Sequence, residues 1–135
     1  MENRQNIGSY DWLPGYGLLI WHIDESVDTN NRNEWYPSHT NTGHYLAALE
    51  QADGLWELER NINTGNAGDI YSSGCSFTPS SVPNSHAYDG KDSNLYVTNI
   101  HYESLNVVFT ISFDKPPIPL SPSVREKGTD LFNFP

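Results

Sequence analysis

The feature that most limits what this chain can fold into is the two-stranded pattern near its end. Residues 95–102, LYVTNIHY, and 106–113, NVVFTISF, are separated only by Glu103, Ser104 and Leu105. In the second run Val107, Phe109, Ile111 and Phe113 alternate with Asn106, Val108, Thr110 and Ser112. Successive side chains of a strand point to opposite sides, so period-two alternation predicts a hairpin with one face on a core. That reading puts Val107, Phe109, Ile111 and Phe113 inside and leaves Thr110 and Ser112 more exposed.

A second apolar run, GLLIWHID at 17–24, is short and bounded by glycines and acids. It reads as a strand over Leu18–Ile23, buried on both faces. HYLAALE at 44–50 is also short and bounded by Gly43 and Asp53-Gly54, which favours a strand over a helix. DGLWELER at 53–60 predicts a helical turn with Asp53 as its N-cap. The stretches 25–42 and 61–94 are rich in Asn, Ser, Gly and Pro and carry no periodicity, so they read as long loops. The fold class is therefore mainly β: a sheet-rich, β-sandwich-like domain over residues 1–114 with long irregular loops. Residues 115–135 hold five of the nine prolines, and proline cannot donate to a sheet, so they read as an extended Pro-rich tail or linker.

Hydrophobic residues are only 36% of the chain, but four Trp and eight Tyr supply large buried areas per residue. The formal net charge of -10 repels nucleic-acid phosphates and anionic membrane surfaces, so neither is an expected partner. No run approaches the ~18 apolar residues of a membrane span. The single cysteine, Cys75, makes no internal disulfide and excludes a four-cysteine zinc site. Residues 1–10 are polar and do not read as a signal peptide.

Catalytic signatures are missing. A zinc peptidase of the common type places two His one helical turn apart in HExxH, and none of His22, His39, His44, His86 and His101 stands in such a motif. G-x-S-x-G and glycine-rich phosphate loops are absent, and Cys75 has no base close in sequence. His22 and Asp24 are two apart and would share a face of one strand. They form either a buried polar contact or a pair that orients a ligand elsewhere. DTNNRNE at 28–34 fails as an EF-hand loop because Arg32 and Asn33 stand at its fifth and sixth positions. Glu50, Asp53 and Asp69 lie in glycine-containing loops and are candidate calcium ligands, or else ordinary turn formers.

Five ordered segments carry a family resemblance. ENRQ (2–5) with LPGYGLLIWHIDE (13–25), then LEQADG (49–54), GNAGDIY (65–71), PNSHAYDG (83–90) and YVTNIH (96–101), resemble the stretch that follows the catalytic region in M6-type, immune inhibitor A-like metallopeptidases. The resemblance covers residues 2–113. It implies a non-catalytic structural segment of a secreted zinc metallopeptidase, extracellular or at the cell surface. Zinc would then be bound only in a catalytic region upstream of residue 1. The expected role is to complete the peptidase fold and support its substrate cleft, with the catalytic region or another protein chain as partner and calcium as a cofactor. Asn66 stands where the family has Asp, and Ile70-Tyr71 where it has Pro-Phe, which weakens any metal role carried to that loop. A second reading is an independent β-sandwich module that binds carbohydrate or a protein through Trp12, Trp35, Tyr36 and Trp56.

Overall fold

A computed structural model describes residues 1–8, 12–30 and 45–116. The chain is mainly β. Its strands are β1 (Glu2–Arg4), β2 (Gly17–Leu19), β3 (Trp21–Ile23), β4 (Ala47–Leu49), β5 (Tyr96–Glu103) and β6 (Asn106–Ser112). Among the described residues they form three antiparallel two-stranded ladders, β1–β2, β3–β4 and β5–β6. A 3-10 turn covers Ala67–Asp69. Isolated two-stranded ribbons are marginal in water, so something else must tie these three together. Backbone bridges do it: Leu18 pairs with Tyr71, Phe77 pairs with Val97, and Glu50 N–H donates to Ile20 O at 2.9 Å.

The run Leu18–Ile23 is not one strand buried on both faces. Leu18, Leu19 and Ile20 are buried, whereas Trp21 is 40% and Ile23 54% exposed. The change falls where the run changes partners, from β1 to β4. Gly17 marks the entrance. Its φ is 147°, and an added Cβ would meet the Ile70 side chain at 2.6 Å and the Tyr102 hydroxyl at 2.8 Å. Only glycine lets β2 lie so close to the 65–71 loop.

The strand expected at 44–50 is present as β4, with Trp21 opposite Leu49 and Ile23 opposite Ala47. The helical turn expected at 53–60 is not a helix but a series of turns. Asp53 Oδ1 accepts from Leu55 N–H at 3.0 Å, a local bond that competes with helix formation, and Gly54, Trp56 and Asn61 all have positive φ.

The hairpin forms where the sequence places it, with Ser104 and Leu105 as the loop and Ser104 at φ 57°. Its inward face differs. The core gathers Leu18, Ile20, Tyr71, Phe77, Val97 and Ile100, so the hairpin's fully buried residues sit on β5. Val107 and Phe109 pack on that core half-buried. Ile111 is 46% and Phe113 68% exposed, contrary to the expected core assignment, while Thr110 is exposed and Ser112 half-buried. The segment around Phe77 covers β5 through its bridge to Val97, and nothing comparable among the described residues covers the end of β6.

The Pro-rich stretch from 117 onward lies outside the described residues, as do His39, His44, Trp35 and Tyr36.

Candidate functional site

The pairing of β3 with β4 places His22 opposite Ala48, one residue from the end of each strand. Glu50 follows β4 immediately and reaches back, with Oε1 3.0 Å from His22 Nδ1. An ionised carboxylate only accepts, so Nδ1 carries the proton and donates. The imidazole also stacks on the Tyr88 ring, with centroids 4.0 Å apart and planes within 5°. One bond and one stacked face together fix the ring's orientation. Both partners of this contact are mostly buried, with 24% of the His22 and 16% of the Glu50 side chain exposed.

These groups line a cleft of about 340 Å³ between the β3–β4 ladder and the loops around 56–59 and 82–90. Tyr45 and Trp56 add aromatic walls, and Glu59 adds a second carboxylate. Burial pushes the Tyr88 phenol well above its ordinary range, and the charges of Glu50, Glu59 and Asp24, then Tyr45, push it the same way. The phenol therefore stays protonated at physiological pH and serves as a donor and a stacking surface, not as a base. Trp56 holds φ 50°, a backbone region uncommon for a bulky residue.

The expected partnership of His22 with Asp24 is not what forms. Asp24 Oδ1 accepts from Ser26 N–H at 3.0 Å and from Ser26 Oγ at 2.5 Å, which closes the turn after β3. His22 goes instead to Glu50, 28 residues away. Strand periodicity tells which side chains share a face, but a neighbouring strand decides which partner arrives there.

The second locus joins the LEQADG and GNAGD segments. Ala52 N–H donates to Asp69 O at 3.1 Å, and a Cβ added at Gly68 would lie 2.6 Å from Asp53 Oδ2. Asn66 caps the 3-10 turn: its Oδ1 accepts from Gly68 N–H at 2.6 Å, while Asp69 Oδ2 accepts from Asn66 N–H at 2.6 Å. This reciprocal arrangement satisfies two amides that the turn leaves open. Asn66 Nδ2 also donates to Glu57 Oε2 at 2.9 Å. An Asp at 66 would lack that donor and would repel Glu57. Asp69 is 2% exposed, and its Oδ1 has no hydrogen-bond partner. Burial raises its pKa; the Asn66 amide opposes this, and Asp53 and Glu57 add to it.

Of the three candidate calcium ligands, the structure therefore brings Asp53 and Asp69 together and gives Glu50 to His22. Among the described residues no three His, Cys, Asp or Glu side chains converge as a metal-holding group. The aromatic candidates also separate. Trp56 lines the cleft with His22, whereas Trp12 is 75% exposed beside a different groove, shared with Trp21. Cys75 is half-buried, its Sγ 3.7 Å from Ser72 Oγ.

Comparison of the chain with family models, with curated proteins and with solved structures returns no match.

Sequence reasoning missed Tyr88 and Glu59 as cleft residues and Gln51 as a fully buried polar group whose Oε1 accepts from Leu58 N–H at 3.3 Å. Tyr88 had a weak signal, since it sits in PNSHAYDG, one of the segments that carry the resemblance. Gln51 had the same signal, in LEQADG, and Glu59 had none.

Proposed function

We propose that this chain is a non-catalytic accessory segment of an M6-like zinc metallopeptidase. In this reading it completes the peptidase fold beside a catalytic region and supports the substrate cleft there, and zinc belongs to that region alone. The ordered segments from ENRQ to YVTNIH support the reading, as does the lack of HExxH in these 135 residues.

The observation that carries it is an apolar surface centred on Trp21. Trp21 lines one groove with Trp12 and another with Met1 and Ile23. Met1 is 50%, Ile23 54% and Trp12 75% exposed. Single exposed apolar residues are ordinary, but a continuous group of large ones is typical of a surface that another body covers.

The test mixes this chain with an M6-type catalytic region carrying its HExxH. A stoichiometric complex is expected, with Trp21→Ser weakening it by roughly tenfold or more, as for a central interface aromatic. The chain alone, loaded with zinc, is expected to leave casein intact. No complex at about 100 μM would overturn the reading, as would casein cleavage by a sample shown pure by mass spectrometry.

A further inference from the structure

We propose that the cleft beside His22 is a subsite for a basic side chain, a lysine or arginine presented on a peptide. The inference rests on the cleft alone and stands whether or not the chain partners a catalytic region.

Size comes first. About 340 Å³ lies at the lower end of ligand pockets, suited to one long side chain. Charge comes second. Among the described residues the lining includes Glu50 and Glu59 and neither lysine nor arginine. Both carboxylates also act on the Tyr88 phenol in the same cleft, raising its pKa.

The third argument is the spare bonding capacity of Glu50. Its side chain is only 16% exposed, and Oε1 is committed to His22. Oε2 has no hydrogen bond in the described structure, yet it is not sealed from solvent. A partly desolvated carboxylate oxygen is best satisfied by a charged donor, because charge-assisted bonds are about twice as strong as neutral ones. His22 fixes that carboxylate in place, so little freedom is lost when the donor arrives.

The walls fit the same ligand. Trp56 and Tyr45 line the cleft, and an aromatic ring attracts a cation held over its face. Tyr88 is held flat by His22, and the methylenes of a lysine or arginine suit the apolar Val82 and Pro83 at the edge.

The experiment titrates the full chain with Nα-acetyl-arginine methylamide and with its citrulline counterpart, which has nearly the same shape and no charge. Binding is read by calorimetry and by Trp fluorescence at neutral pH. The arginine compound is expected to saturate with a Kd of about 1 mM, and the citrulline compound to bind at least roughly tenfold more weakly. Added salt should weaken only the former. Glu59→Gln and Trp56→Leu should each reduce the affinity several-fold, with circular dichroism confirming the fold; Glu50→Gln should do the same and guards against a fold defect in the others. Equal binding of the citrulline compound, no saturation by either, or binding of a neutral disaccharide in place of the arginine compound would each overturn the proposal.

Discussion

β5 and β6 belong to one hairpin and carry similar numbers of apolar side chains, but they live in different surroundings. On β5, Val97 is 0% and Ile100 2% exposed; Ile111 on β6 is 46% and Phe113, just past its end, 68% exposed. Two causes separate them. Phe77 pairs with Val97 through two backbone bonds of 2.9 and 2.8 Å and brings its ring, edge-on to Tyr71, against β5. Asn99 adopts φ 54° where the register shifts between Thr98 and His101, so Val97 and Ile100, three apart, both turn inward. Such an irregularity re-aims side chains, and Asn tolerates the left-handed region well. The comparison teaches that alternation announces two faces of a strand, while the covering segment decides which strand is core.

The largest test of that comparison is Phe77→Ala. Removing the ring that covers β5 should cost about 3–5 kcal/mol, measured by denaturant or thermal unfolding. A loss below about 1 kcal/mol would mean that β5 is not the centre of the core. On β6, Phe109→Ala should cost less, on the order of 1–2 kcal/mol, because Phe109 is half-buried against the cluster and forfeits only part of its transfer energy. A loss equal to that of Phe77→Ala would erase the difference between the strands.

Asp69 sharpens the contrast between buried apolar and buried polar loci. Its folded pKa is raised, mainly by burial. The native state therefore holds the proton more tightly than the unfolded chain. The associated stability is fully present below the ordinary carboxylate range and is lost as pH rises through the raised value. Asp69→Asn keeps the shape and stays neutral throughout, so its melting temperature relative to the unsubstituted chain should climb across that window. A flat or falling difference would show that Asp69 is ionised without cost. Repeating the melts with about 1 mM calcium addresses the ion directly. With Glu50 engaged by His22, calcium should leave the melting temperature unchanged, and a rise that Asp69→Asn abolishes would restore calcium to this loop. The smallest effect belongs to Phe113→Ser, within about 0.5 kcal/mol for a residue so exposed. A larger loss would place Phe113 in a contact that its present exposure denies.

Local features of the chain were legible where a short segment contains its own cause. The hairpin is set by two β-prone runs with three residues, Glu103, Ser104 and Leu105, between them, of which Glu103 pairs with Asn106, and β4 by a short apolar run between turn formers. The loop character of 61–94 follows from its glycines, prolines and Asx residues. The site was legible only in part. His22 was singled out, but with Asp24; Glu50 was singled out, but for calcium. Each residue mattered, and each had a different neighbour. Asp53 and Asp69 do meet, yet Asn66 and Glu57 use the space as a hydrogen-bonded cap.

By itself the sequence determined the mainly β class, the punctuation of its strands by Gly, Pro and Asn, the overall negative charge and the lack of a zinc-binding HExxH. These depend on backbone preferences and composition, which act within a few residues. Only the tertiary structure decided that β5 rather than β6 enters the core, that the run Leu18–Ile23 divides between two partners, and that His22, Glu50 and Tyr88 make one cleft. Those outcomes join residues far apart in the sequence, 20 positions for Phe77 and Val97 and 28 for His22 and Glu50. Such contacts are chosen by competition among all the surfaces that packing brings together, and no local window contains the competitors.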